Sequence, residues 1–377
     1  MINRERLAAT FTELCEIDSP SRREGAMATR LKEIWATLAP DESFEDGSAR
    51  DTGSESGNLF FRFNGTSERK PLFFNCHMDT VEPGTGVRVQ RKGDLFTSAG
   101  DTILGSDDKS GIAALIEAMQ IVRKENLPHR PVEFIFTTCE EIGLLGAKAL
   151  DPNNIRATFG YALDSSGSGR VIIGAPAANR LKIQVNGIGA HAGLHPELGI
   201  NALVLASRAL ARVPDGRIDD DTTVNFGTIC GGMASNIVPE RVTIEGEVRS
   251  HCQKKLAELT EQIEKIFTES VADWHDPAGM IRGRPSVDFD VYLDFPLMRL
   301  APDSRVVREV ETAAKTIAMD IKQVVAGGGS DANIFNGYGL DTAIIATGMT
   351  NVHSVNEQVH LEDMVDLTRL ILALLTR

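Results

Sequence analysis

The sequence has no CxxC pair, no run of basic residues and no long uncharged apolar segment. Each absence excludes something. Five cysteines (Cys15, Cys76, Cys139, Cys230 and Cys252) are an odd number at irregular spacing, which fits free, reduced thiols rather than a disulfide framework. A net charge of -14, with no lysine or arginine cluster to offset it, argues against a nucleic-acid partner. A membrane span needs about 18 consecutive apolar residues, and none is expected here. The opening "MINRERLAATFTELCEIDSPS" carries charges throughout and lacks the apolar core and cleavage site of a signal peptide. These absences together make the cytoplasm the expected location.

What is present points to a globular protein with two cores. The 377 residues exceed the usual size of one hydrophobic core, and the balance of 42% hydrophobic and 24% charged residues is that of a soluble chain. Helix patterns cover 3–16 and 22–38, with Ser21 placed to cap the second. "NLFFRF" (58–63), "PLFFNC" (71–76), "PVEFIFTTCEE" (131–141) and "GYALDSS" (160–166) read as strands, and 111–127 as a helix. Continuous apolar strands alternating with helices predict a parallel or mixed α/β sheet flanked by helices. After about residue 178 the strands alternate in character instead, and four of them with two helices predict an α+β insertion. The α/β style then resumes to the end. The expected domains are 1–178 with 296–377 for the sheet and its helices, and 179–295 for the insertion.

Five polar segments stand out. His77 and Asp79 share one face at the end of an apolar strand. "LGSDDKSG" (104–111), Glu140/Glu141 and Asp164 also read as strand-end groups, and His353 lies in the loop "GMTNVHSVN". In an open α/β sheet, ligands bind outside the carboxyl ends of the strands. A single polar strand end is ordinarily just solvated; five together are harder to dismiss. Clustered carboxylates repel one another unless a cation compensates. Two histidines among several carboxylates suit zinc, and the number of acidic groups suits two ions sharing a bridging carboxylate and a water. One of Glu140 and Glu141 can bind metal while the other acts as general base.

The ordered set "HMDT", "LGSDDKSG", "TTCEEIGLLGA", "YALDSSG" and "NVHSVNE" resembles the five metal-site segments of the M20 family of dinuclear zinc exopeptidases, in its peptidase T-like (tripeptidase-like) branch. "GIGAHAGLHPELGINAL" resembles the histidine-bearing segment of that family's inserted lid and dimerisation domain. The resemblance covers nearly the whole chain. It implies two Zn2+ per chain, with Co2+ or Mn2+ as possible substitutes. His77 and Asp164 would hold one ion, Glu141 and His353 the other, and Asp107 would bridge them. Asp79 would orient the His77 ring. Glu140 would take a proton from a water acidified by the two ions and pass it to the leaving amine. A cis peptide between Asp107 and Asp108 is implied as well. The resemblance further implies a homodimer in which His191 reaches a partner's active site as an oxyanion donor.

Other residues are open to two readings each. His191 alone also reads as a structural residue in a glycine-rich turn, the lesser of its two readings. Arg249, in "GEVRSH", is a carboxylate clamp or one half of a surface ion pair. Asn236 binds substrate or caps a turn. Gly328 and Gly329, in "AGGGSDAN", lack both a GxGxxG order and a Walker lysine, so backbone amides holding a substrate carboxylate fit better than a nucleotide site. Cys76 and Cys139 read as small core residues. The expected activity is removal of the N-terminal residue from short peptides. The alternative is an amidohydrolase acting on N-acylated amino acids. A non-catalytic metal-binding scaffold would have lost Glu140 or a ligand, and neither is missing.

Overall fold

The computed structural model describes residues 1–276 and 279–376. The chain divides into two compact units, Met1–Ala175 with Met298–Arg377, and Pro176–Leu297. Each has its own hydrophobic core.

A nine-stranded mixed sheet organises the first unit. Its middle strands, Leu72–His77 and Val132–Thr137, are buried at every residue, because helices cover both faces and leave no side for polar alternation. Leu72–His77 runs parallel to both Val132–Thr137 and Phe159–Ala162, and Asp341–Ile345 runs parallel to Phe159–Ala162. Four carboxyl ends therefore emerge at one edge. Leu59–Phe63 and Arg170–Ala175 extend the sheet antiparallel on either side. Trp35 anchors one face, with ring centroids 4.5 Å from Phe134 and 5.2 Å from Phe61. The helix Ser106–Lys124 packs against Arg4–Cys15 and Leu361–Thr376.

The second unit is a five-stranded antiparallel sheet in the order Gly216–Asp219, Thr222–Gly231, Arg241–Ser250, Ala177–Asn186, Ser286–Phe295. Leu181, Ile183 and Val185 alternate with Arg180, Lys182 and Gln184, so one face is apolar. The helices Ala202–Leu210 and Gln253–Ala272 cover that face. No described helix is long and apolar enough to cross a membrane.

Three local expectations are corrected. The second helix begins at Gly25, after Glu24, and Ser21 does not cap it; the Ser21 hydroxyl donates to Asp79 Oδ2 at 2.6 Å instead. The strand expected over 131–141 ends at Thr137. Cys139, with φ +53°, turns the chain, so Glu140 and Glu141 project from a turn beyond the sheet edge. "LGSDDKSG" is not a strand end: Ser106–Lys124 starts inside it, and Asp107 lies in that helix's first turn with non-helical φ -84° and ψ 106°. Short strands at Val89–Lys92, Leu95–Ser98 and Gln358–His360 form a further small sheet. They are too brief to leave a periodic signal.

Candidate metal centre

The end of the Leu72–His77 strand delivers His77. Its Nδ1 is 3.0 Å from the Asp79 backbone oxygen and 3.4 Å from Asp79 Oδ1, and its Nε2 is 3.0 Å from Asp107 Oδ1. Asp79 is fully buried. Its carboxylate accepts the Glu140 N–H at 2.9 Å and the Glu141 N–H at 3.2 Å, besides the Ser21 hydroxyl. One carboxylate thus fixes both the His77 ring and the turn that carries the two glutamates. The Asp107–Asp108 peptide is cis.

Asp107 faces two histidines with two different oxygens. Oδ1 meets His77, and Oδ2 lies 3.3 Å from His353 Nε2. His353 sits at φ +61° in the loop beyond Asp341–Ile345, and its Nε2 is 3.0 Å from Glu141 Oε2. One ligand atom from each of His77, Asp107 and Glu141 lies within 4.8 Å of the others. Asp164 follows the Phe159–Ala162 strand by two residues and is electrostatically coupled to Asp107, His77 and Glu141.

The cluster holds more acid than it can ionise unaided. Burial, with Asp164 adding to it, pushes the Glu140 carboxyl well above the usual range. Burial and then Asp107 do the same to Asp164. Burial also raises Glu141, although the His353 hydrogen bond opposes it. Burial would raise Asp107 too, but hydrogen bonds to His353 and His77 outweigh it and hold this carboxyl below the usual range. His353 is pushed up to about 10 by its hydrogen bonds to Asp107 and Glu141. For His77, burial favours the neutral ring, yet the bonds to Asp107 and Asp79 prevail and its pKa is well raised. The raised carboxyls and the raised histidines together report buried negative charge that His77 and His353 offset chiefly at Asp107. Imidazole nitrogens and carboxylate oxygens converging in such a cluster fit a borderline divalent cation.

Glu24 and Asp331 are among the buried acids here that were not singled out from the sequence. Glu24 accepts the Cys139 N–H at 2.9 Å and so holds the turn before Glu140. Asp331, at the start of the helix Asp331–Gly337, accepts the Thr137 hydroxyl at 2.5 Å, and burial pushes it up to about 6. Asp331 lies within "AGGGSDAN", directly after Ser330. A methyl group on Gly328 would meet nothing within 4 Å, so packing does not demand glycine there.

The second unit brings His191 and Asn236 together. His191 pairs with Ile237, and the Ala192 N–H donates to the Asn236 backbone oxygen at 2.9 Å. The backbone N–H groups of Gly193 and Leu194 both donate to His191 Nδ1 at 3.2 Å, which leaves the ring proton on Nε2. Arg249 stands apart from this pair. Its Nη2 donates to Glu247 Oε2 at 3.0 Å, and its Nε lies 2.8 Å from Glu247 Oε1 without a hydrogen bond, so the guanidinium is ion-paired within its own strand.

The sequence pattern described as Peptidase family M20/M25/M40 matches residues 73–377. The chain is 38% identical over 376 residues to "Uncharacterized protein YqjE" of Bacillus subtilis (strain 168), covering 100% of this chain and 99% of that protein. The crystal structure of aminopeptidase PepT from Bacillus cereus ATCC 10987 superposes with a TM-score of 0.88 at 36% identity, over 100% of this chain and 98% of that one. A tripeptidase (SAV1512) from Staphylococcus aureus subsp. aureus Mu50 gives a TM-score of 0.91 at 32% identity, with the same coverage. Family match, full-length relatives and shared architecture agree, and the chain belongs to peptidase family M20/M25/M40, in its peptidase T-like branch.

Proposed function

We propose that the protein is a metal-dependent exopeptidase that removes the N-terminal residue from short peptides. The observation that carries this reading is Asp107, whose two oxygens address His77 and His353 separately, as a carboxylate shared between two ions would. His77 and Asp164 would hold one cation, and Glu141 and His353 the other, with zinc favoured by the mixed nitrogen and oxygen donors. Two such cations would supply Lewis acidity, lowering the pKa of water and polarising the scissile carbonyl.

The chain's own groups do the rest. Asp79 locks the His77 ring and aims the Glu140–Glu141 turn. Glu140 has no ligand role in this assignment, and its raised pKa suits a base that takes a proton from the attacking water and returns it to the leaving amine. His191, with its proton on Nε2, would donate to the oxyanion from a second copy of the chain. Asn236 and the amides of Gly328 and Gly329 would hold the peptide. Arg249 would act as a carboxylate clamp only by exchanging Glu247 for substrate. Free thiols at all five cysteines support a cytoplasmic location.

The named activities of the Bacillus cereus and Staphylococcus aureus proteins favour a peptide substrate over an N-acyl amino acid. The deciding assay offers a tripeptide, a dipeptide, a longer peptide and an N-acetyl amino acid to protein loaded with zinc, cobalt or manganese. Fastest turnover of the tripeptide, with release of its first residue, is expected. Preference for the N-acetyl amino acid would replace this reading with the amidohydrolase one.

A further inference from the structure

Glu357 follows His353 by four residues and is 2% exposed. Its carboxylate accepts four hydrogen bonds, all from one turn. Oε2 takes the N–H groups of Leu104 at 2.8 Å and Gly105 at 2.9 Å. Oε1 takes the Ser106 hydroxyl at 2.6 Å and the Asp107 N–H at 3.1 Å. Consecutive backbone donors converging on one anion form a nest. Gly105 permits it through φ +79°, and a Cβ there would stand 3.3 Å from Lys109 Nζ, a buried cation beside the same turn.

The other end of Glu357 is equally fixed. Thr350 and Gln358 exchange backbone hydrogen bonds of 2.9 and 3.0 Å, and the Glu357 N–H donates to the Ser354 oxygen at 3.1 Å. His353 and Glu357 therefore belong to one closed loop. Through Glu357 that loop is pinned to the turn that carries Asp107. Asp107 and His353 come from segments about 250 residues apart, yet lie 3.3 Å from each other.

We infer that Glu357 is a positioning residue, which sets the placement of His353 against Asp107 and thereby the affinity of the half of the centre formed by Glu141 and His353. The inference rests on the metal-centre reading above. Glutamine at 357 would turn an amide nitrogen towards two of the four donors. Ser106→Ala removes one donor and leaves the carboxylate in place.

The test is a zinc titration against a chromophoric chelator on the full chain, beside thermal unfolding of the metal-free protein. For Glu357→Gln, zinc affinity at one of the two sites is expected to fall at least about tenfold, the low end for losing a group that orients metal ligands, while the other site stays near the parent's. Ser106→Ala is expected to weaken the affected site about threefold, the scale of one hydrogen bond. Metal-free Ser106→Ala should still unfold cooperatively, with its midpoint lowered by no more than the few degrees that one buried hydrogen bond is worth. If the parent itself binds no zinc, the metal-centre reading fails and this inference goes with it. If the parent binds two ions and both variants match it, this inference alone is overturned. Should Glu357→Gln not fold, Ser106→Ala decides: weaker zinc binding by a chain that still folds cooperatively supports the role. Parent-like binding by Ser106→Ala leaves Glu357 as a fold clamp and overturns it.

Discussion

The two units present most of their candidate functional groups in opposite ways, although His353 in the first is half-exposed. In the first, Asp79 and His77 are buried, and the Asp79 carboxylate meets the Ser21 hydroxyl, two backbone N–H groups and an imidazole. In the second, His191 and Asn236 are exposed, and the Arg249 guanidinium is ion-paired with its strand neighbour Glu247. The difference fits the two roles proposed for them. A centre that gathers several carboxylates must be rigid and nearly dry, so that a cation rather than water offsets the charge. A side chain that reads a passing peptide must stay hydrated until the peptide arrives.

The sharpest break in this comparison is at Asp107. If its two oxygens serve two ions, Asp107→Ala should lose both ions and all activity above background. His353→Ala should retain about one ion per chain, because His353 serves one side only. Metal analysis of the purified variants separates them. Equal metal loss in both would remove the bridging assignment.

Glu140→Gln tests whether the buried unit contains a group reserved for chemistry. It should keep two ions while turnover falls about 100- to 10,000-fold, the range for losing a general base. A variant that loses metal, or turns over at a near-parental rate, assigns the base elsewhere.

The exposed unit is tested by His191→Ala, expected to bind metal like the parent and to lose about 100- to 1,000-fold in turnover, as for one oxyanion donor. Mixing it with Glu140→Ala, after verified chain exchange, should restore part of the activity, since a mixed dimer holds one site with both groups. No recovery after exchange would confine His191 to its own chain or to no catalytic role. A monomer at working concentration would end the idea sooner.

The same contrast explains what the sequence could show. His77, Asp79, Glu140, Glu141 and Asp164 are legible because a polar group just past an apolar strand is locally anomalous, and several anomalies at one sheet edge reinforce each other. The mixed sheet and the inserted antiparallel unit follow from the switch between continuous and alternating burial. Ser21, Glu24, Asp331 and Glu357 carry no such local mark. Ser21 looked like a helix cap because caps and carboxylate partners use the same hydroxyl. Glu357 is defined by a turn about 250 residues away, and no periodicity reports such a contact. For Arg249, strand alternation already sets Glu247 on the same face two residues away, and the structure pairs the two; the carboxylate-clamp role stays a proposal.

The smallest effect concerns Asp331, and it asks whether the buried unit's surplus acid is held by bound cations. Burial raises its pKa to about 6, with the Thr137 hydrogen bond opposing and the Asp79 charge adding. One carboxylate oxygen is buried without a hydrogen bond. An unfolded aspartate titrates near about 3.9. The folded pKa is the higher one, so between these values the folded state binds more protons and stability falls as pH rises. Below about 4 the group costs nothing, and above about 6 it costs its full amount, on the order of 1–3 kcal/mol. In Asp331→Asn the amide oxygen can still accept from Thr137, and no charge is buried. Chelator-treated Asp331→Asn should therefore gain in thermal midpoint over the parent as pH rises from 4.5 to about 6.5, and keep a constant lead above that. Zinc should shrink the lead, because neighbouring positive charge favours the ionised carboxylate. A lead that does not change with pH would show that Asp331 does not titrate in this window. A lead that zinc leaves untouched would separate Asp331 from the metal centre electrostatically.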